Sequence, residues 1–449
     1  MRGVTYMIRI ICLLTVLLAG VPCWAAEVAA LGSAIRELAG KDAGYLAELY
    51  RSLHAHPELS QQEQDTAARV AKELREAGYK VTTNIAGHGL VGLLENGPGP
   101  TVLIRTDLDA LPVEEATGLP YASRVRAQDP AGRTVGVMHA CGHDMHMACF
   151  LGAARALARL KDRWGGNLLM VGQPAEETIG GARQMIAAGL YTRFPRPDFC
   201  LALHVDANLE AGRVGYREGF IFAAVDSLDI TIWGVGGHGA YPHKTKDPIV
   251  IASQLILALQ TIVSREVRAI DPAVVTVGSI HGGAKRNVIA DQVDLQLTVR
   301  TYSEATRRQV LEAIERITKG VARAAGVPAD REPIIRIRED EQAPATFNNP
   351  GLTRRTVAAI REVLGVDRVV EREPEMGSED FGLFGRTTID IPVFMFRIGT
   401  IDARRWTDSQ KPGAAPLPSL HSAVFWPETE LTLQTGVQAM TAAALGLLR

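Results

Sequence analysis

The sequence predicts an α/β fold with a largely parallel sheet, interrupted by a ferredoxin-like β-α-β-β-α-β insert. Three observations carry this expectation. Short, continuous apolar runs, typical of strands buried on both faces, alternate with helical stretches in the first half. The middle section has strands that alternate apolar and polar residues, with long helical stretches between them. The chain has 449 residues, too many for one ordinary domain and enough for two or three.

The chain opens with "MRGVTYMIRIICLLTVLLAGVPCWAAE". Arg2 and Arg9 precede an apolar run, Ile10 to Ala19, and small residues follow at Ala25 and Ala26. This is the layout of a secretory signal peptide over residues 1–25, with cleavage after Ala25. The run is shorter than the about 20 residues a membrane span needs; an uncleaved anchor is the alternative. Pro22 makes Cys23 a poor lipid-attachment site. No second apolar segment of spanning length is expected, so the mature chain should be soluble, periplasmic or secreted, with no membrane partner.

"TVLIRTD" (101–107), "NLLMVGQ" (167–173) and "DFCLALHV" (198–205) predict buried strands, and "DMHMACFLGAARALARLKDRW" (144–164) a helix with Asp144 as its N-cap. In the middle, "SLDITIWG" (227–234), "VVTVGSI" (274–280), "QVDLQLTVRT" (292–301) and "PIIRIRED" (333–340) predict four strands. Helices over 247–266 and 304–326 separate them, which gives the β-α-β-β-α-β order. "IPVFMFRIG" (391–399) predicts a last buried strand. Residues 221–338 are therefore expected to form an insert, and 26–220 with 339–449 the larger domain.

Composition narrows the function. A formal net charge of -2 favours no nucleic-acid partner. Beyond the leader three cysteines remain, Cys141, Cys149 and Cys200, an odd number too small for a disulfide framework. Cys149 and Cys200 read as core residues. Cys141 lies in "MHACGHDMH" (138–146). Cys141 and His143 are two apart, so they can share a metal only from a turn, and Gly142 supplies the freedom for one. Asp107, Glu176, Glu177 and His204 stand at predicted strand ends, the edge where ligands bind in open α/β sheets. His421, in "LPSLHS", could return to that edge. Thiolate, imidazole and carboxylate together suit zinc or a similar divalent ion. Of two adjacent glutamates, one can bind metal while the other takes a proton from water. Taken singly, any of these histidines reads as structural and a glutamate pair as a solvated surface feature.

"RTDLDALPVEE", "MHACGHDMHMA", "GQPAEE", "GGHGAYPHKTKDPI" and "MGSEDF", in this order, resemble the M20 metallopeptidase family, and within it the amidohydrolase branch of aminoacylases, hippurate hydrolases and auxin-conjugate hydrolases. The likeness runs from "HAHPELS" (54–60) to "LHS" (420–422). It implies a zinc-exopeptidase-like catalytic domain, an inserted dimerisation domain, and two divalent metal ions per subunit, zinc foremost, with manganese, cobalt or nickel as alternatives. On that resemblance Cys141 bridges the ions; His143 and His204 complete one site, Glu177 and His421 the other. Glu176 is general base and then general acid. His238 stabilises the oxyanion, possibly across a homodimer interface, and Asn287 contributes to substrate binding. Read alone, His238 is a loop histidine. The chain departs from the family at Ala290 and Leu297 in the insert, and the segment 402–418 before His421 is unusual.

The function expected is hydrolysis of the amide bond of N-acyl amino acids. A dipeptidase or carboxypeptidase using the same centre is the alternative. A non-catalytic metal- or ligand-binding protein on this scaffold is the alternative of another class; retention of both Glu176 and Glu177 counts against it.

Overall fold

The computed structural model describes residues 23–387 and 389–448. The leader expected over 1–25 therefore lies outside the described residues, apart from its last three. The larger unit contains helix α1 (Cys23–Ala55), α2 (Gln64–Glu76) and strands β1 (Lys80–Ile85), β2 (Gly89–Asn96) and β3 (Thr101–Asp107). It continues with α3 (His143–Arg159), β4 (Gly166–Gln173), α4 (Gly181–Ala187), β5 (Phe199–Glu210) and β6 (Val214–Tyr216). The chain then enters a second unit: β7 (Ala224–Trp233), α5 (Pro248–Thr261), β8 (Ala273–Gly282), β9 (Gln292–Thr301), α6 (Glu304–Ala324) and β10 (Ile334–Ala343). It returns through α7 (Pro350–Leu364), β11 (Val369–Glu371), β12 (Val393–Ile401) and α8 (Thr429–Leu445).

The eight-stranded sheet has the order β1-β2-β4-β3-β5-β12-β6-β11 and is mixed. Its centre, from β4 through β3 and β5 to β12, is parallel. Because β3, β4, β5 and β12 are buried at nearly every position and apolar through their middles, successive side chains feed two cores. Val102, Ile104, Leu168, Met170, Leu201, Leu203, Phe394 and Phe396 pack beneath α1, α2, α3, α7 and α8. Leu103, Leu169, Val171, Cys200, Ala202 and Met395 pack on the opposite face with Met185, Phe381 and Phe384. Continuous hydrophobicity is thus the signature of strands covered on both sides.

The second sheet has the order β8-β9-β7-β10, with every neighbouring pair antiparallel. This is the ferredoxin-like arrangement, and its strands alternate because only one face is covered by α5 and α6. Leu228, Ile230, Leu255, Leu295, Val310 and Ile314 form this unit's own core. Asp247 caps α5 through the Ile249 N–H at 2.9 Å, and Ser303 caps α6 through the Thr306 N–H at 3.0 Å.

Two local expectations are corrected. The helix after the histidine-rich motif begins at His143, and its N-cap is Gly142, not Asp144. Gly142 has φ 78°, and a β-carbon there would lie 2.7 Å from Val205 Cγ2, so both conformation and space demand glycine. Asp144 sits inside the first turn and faces His54. Contrary to the expectation of no further segment of spanning length, Pro248–Glu266 is long and apolar enough to cross a membrane by length and composition. Part of it packs on the second sheet, with Ile251, Leu255 and Leu259 buried.

Candidate metal centre

The second core face of the large sheet turns polar at the carboxyl ends of its parallel strands. Asp107 and Gln173 end β3 and β4, and His204 lies on β5 beside Arg397 of β12. The loop before α3 brings Cys141 and His143 to this edge. The turn after β4 brings Glu176 and Glu177. His421 arrives from the C-terminal loop, whose backbone is tied to the first by the His421 N–H donating to the Ala140 carbonyl at 2.9 Å. Ala175 and His421 both hold left-handed conformations, with φ 54° and 64°. Such strained residues cluster at functional sites because surrounding contacts must hold them.

Of the five groups of ligand atoms that result among the described residues, two share Cys141: Cys141 with His143 and His204, and Cys141 with Glu177 and His421; within each the atoms lie within 4.8 Å of one another. Cys141 Sγ is 3.6 Å from His204 Nε2. His143 Nε2 is 3.7 Å from Glu177 Oε1 and 3.8 Å from Glu176 Oε2, and His421 Nε2 is 3.7 Å from Glu177 Oε2. The thiol is thus shared between the groups, with Glu177 between two imidazoles. His238 and Asn287 lie elsewhere. They are exposed on the second unit, joined through the Gly239 N–H donating to the Asn287 carbonyl at 2.9 Å. Among the described residues no hydrogen bond, ion pair or ring contact links either to the cluster.

The residues fit a pair of cations by three independent signs. First, both imidazoles on the sheet side are held with Nε2 turned toward the cluster. His143 Nδ1 donates to the Asp109 carbonyl at 2.8 Å and His204 Nδ1 to the Val205 carbonyl at 2.7 Å, so each Nε2 offers a lone pair. Second, His143 Nε2 and Glu177 Oε1 are buried without a hydrogen-bond partner, a costly arrangement unless something else binds them. Third, the site concentrates acid groups where water is scarce. Burial, then the Glu177 charge, pushes the Cys141 thiol well up. Burial, then the Glu379 and Glu177 charges, holds Glu176 well above the usual carboxyl range. Burial raises Glu177 to about 8, against the pull of His143. Positive charge among these groups lets them ionise together.

A ring of supporting residues surrounds the cluster; of these the sequence placed Asp107 at this edge and gave Asp109, Glu63 and Arg105 no role. Asp109 Oδ2 accepts the Glu177 N–H at 3.0 Å and the Ser60 hydroxyl at 2.6 Å, so it fixes both the glutamate turn and, through its carbonyl, His143. Buried Glu63 accepts the N–H of strained Ala175 at 2.8 Å. Arg105, fully buried, donates to Asp107 at 2.7 Å and Glu379 at 2.8 Å and neutralises an acidic group that includes Asp380. Asp107 also accepts from His146 Nδ1 at 2.8 Å, while the Val205 N–H donates to His146 Nε2 at 2.9 Å. Asp107 and His146 therefore brace α3 against β3 and β5. Glu379 and Asp380 lie in the motif "MGSEDF", and contact with Arg105 shows what they do. His139 is buried with no partner, and burial lowers its pKa to about 4, so it stays neutral.

Residues 103–410 match the family described as Peptidase family M20/M25/M40. The chain is 38% identical to hippurate hydrolase of Campylobacter jejuni over 346 residues, covering 76% of this chain and 85% of that one. It is 35% identical to thermostable carboxypeptidase 1 of Saccharolobus solfataricus over 365 residues, covering 80% and 87%. The crystal structure of a dinuclear metal-binding M20 peptidase from Bacillus subtilis superimposes with a TM-score of 0.71 at 28% identity, covering 91% of this chain and 100% of that one.

Proposed function

From the premise that this chain belongs to peptidase family M20/M25/M40 and is a metal-dependent hydrolase of amide bonds, we propose that it cleaves N-acyl amino acids. The observation that carries the chemistry is the pair of imidazoles whose Nδ1 atoms are tied to backbone carbonyls, so that both Nε2 atoms face a shared thiol. Cys141, His143, His204, Glu177 and His421 would hold two divalent ions, with zinc the first choice for this donor set and manganese, cobalt or nickel alternatives. When bound, the ions supply Lewis acidity toward the scissile carbonyl and the attacking water.

The chain's own residues do the rest. Glu176 stands next to Glu177 and shares His143 with it, but Cys141 and His421 group with Glu177 alone. That leaves Glu176 to take a proton from water at Oε2 and return it to the nitrogen of the leaving amine. His238 and Asn287 would complete the site from a second copy of the chain, with the insert as dimer interface, His238 holding the oxyanion and Asn287 the substrate. Exposure of both in a single chain, and the exposed apolar side chains of α5, support that reading.

Assay of the metal-loaded protein against N-acyl amino acids and dipeptides tests this directly. Glu176→Gln should bind metal stoichiometrically yet lose about 10²–10⁴ in turnover. Full turnover in that variant would reject the proton-transfer role. The carboxypeptidase relative keeps a second reading open, and faster cleavage of dipeptides than of N-acyl amino acids would favour it. Stoichiometric metal with no hydrolysis of either class would point to a binding protein.

A further inference from the structure

Strand β12 is buried at all nine positions and reads Val-Phe-Met-Phe-Arg-Ile-Gly-Thr-Ile. Arg397 is the single charged residue in it. A guanidinium inside an apolar strand is an expensive placement that calls for a counter-charge. In the parallel register Arg397 pairs with His204, so the two side chains lie on the same face of the sheet. Between and beyond them is a cavity of about 170 Å³, lined by His204, Phe222, Glu375, Arg397, Ser419 and Leu420 among others. Its walls therefore include one candidate metal ligand and the neighbour of another, His421.

Within the chain Arg397 has one carboxylate partner. Its Nη1 donates to Glu375 Oε1 at 2.5 Å and to the Glu373 carbonyl at 3.5 Å, and its Nη2 donates to the Ile221 carbonyl at 3.2 Å. The guanidinium carbon lies 4.9 Å from the centre of the Phe222 ring, which lies 5.7 Å from the His204 ring. Its Nε is buried without a partner. The Glu375 side chain is 45% exposed, so it can swing into water with its charge solvated. The other acid in the cavity wall, Asp206, faces its own cation, Arg372 Nε, at 3.4 Å. Removal of Glu375 from the pocket leaves one unmatched guanidinium beside the metal centre.

We propose that Arg397 is a specificity-determining residue that binds a carboxylate of the substrate in this cavity, displacing Glu375. The proposal rests on the amidohydrolase reading above. A carboxylate meets two N–H donors of a guanidinium at once, which a neutral group cannot match. The cavity has room for on the order of five water-sized groups, which suits a short acidic chain.

Three substrate pairs identify which carboxylate it is. N-acetyl-L-glutamate against N-acetyl-L-glutamine tests the amino-acid side chain. N-succinyl-L-alanine against N-butyryl-L-alanine tests the acyl chain. N-acetyl-L-alanine against its amide tests the α-carboxylate. The wild type should prefer the charged member of at least one pair by about tenfold or more in kcat/KM. In the pair that shows it, Arg397→Met should abolish that preference by slowing the member that carries the tested carboxylate far more than its partner. Glu375→Gln should lower KM for the charged member. The assignment falls if no pair shows a preference, or if, in the pair that shows one, Arg397→Met slows both members alike. If Arg397→Met does not fold, Glu375→Gln decides, and unchanged KM in all three pairs overturns the proposal. If the metal-loaded wild type hydrolyses none of the six, the amidohydrolase reading itself fails and takes this proposal with it.

Discussion

Asp109 shows how much of the site rests on a residue outside the ligand groups. Its carbonyl orients His143, and its carboxylate holds the backbone of Glu177. Residues that orient metal ligands govern affinity nearly as strongly as the ligands do. Asp109→Ala should therefore weaken metal binding by about 10–100-fold, read by titration of the stripped protein. An affinity equal to wild type would mean that backbone contacts alone position the glutamate turn. Arg105 works by charge. It lies among Asp107, Glu379 and Asp380, all buried, and without it three carboxylates would face one another across a water-poor interior.

Helices α1 and α3 are joined by a buried triad that also supports the metal loop. His54, in the last turn of α1, meets Asp144 in the first turn of α3 at 2.6 Å and Glu115 at 3.1 Å. Burial opposes its protonation, but the two carboxylates outweigh burial and raise its pKa to about 10. The ordinary value is 6.5, so the folded state favours the imidazolium. This contribution is complete below about pH 6.5 and is lost as pH rises toward 10. Thermal melts of the wild type and His54→Gln should therefore differ most at pH 6 and converge near pH 10. A constant difference across that range would show that the triad is held by packing alone. The effect would reach the metal site, since Asp144 follows His143 directly.

The two units differ in how much of their surface they cover. In the second unit Ile249, Val250 and Leu257 of α5 are exposed at 41%, 52% and 72%. Exposed apolar side chains in one helix suit an interface between copies of the chain. On the proposed dimer, Leu257→Glu should yield a monomer in sedimentation and, with His238 then removed from the second copy's site, reduce turnover sharply. A wild type that sediments as a fully active monomer at micromolar concentration would remove His238 from the chemistry.

The α/β class, the buried strands, the β-α-β-β-α-β order and the residue types of the metal centre can all be read from the chain, because each depends on near neighbours. Apolar runs mark strands covered on both faces, alternation marks the half-covered sheet, and Cys-Gly-His specifies a turn whatever surrounds it. The start of α3 could not be read so well, since Asp144 looks like a cap until His54 claims its carboxylate. Convergence is a different matter. Residues 105–109, 141–143, 173–177, 204, 379–380 and 421 meet because parallel strands end at one edge and loops from distant parts of the chain close over it. No local pattern encodes that Asp109 steadies Glu177, that Arg105 offsets three acids, or that Arg397 lies beside His204. These are consequences of strand register and long-range packing, in which a group's charge state and partners depend on neighbours up to hundreds of residues away.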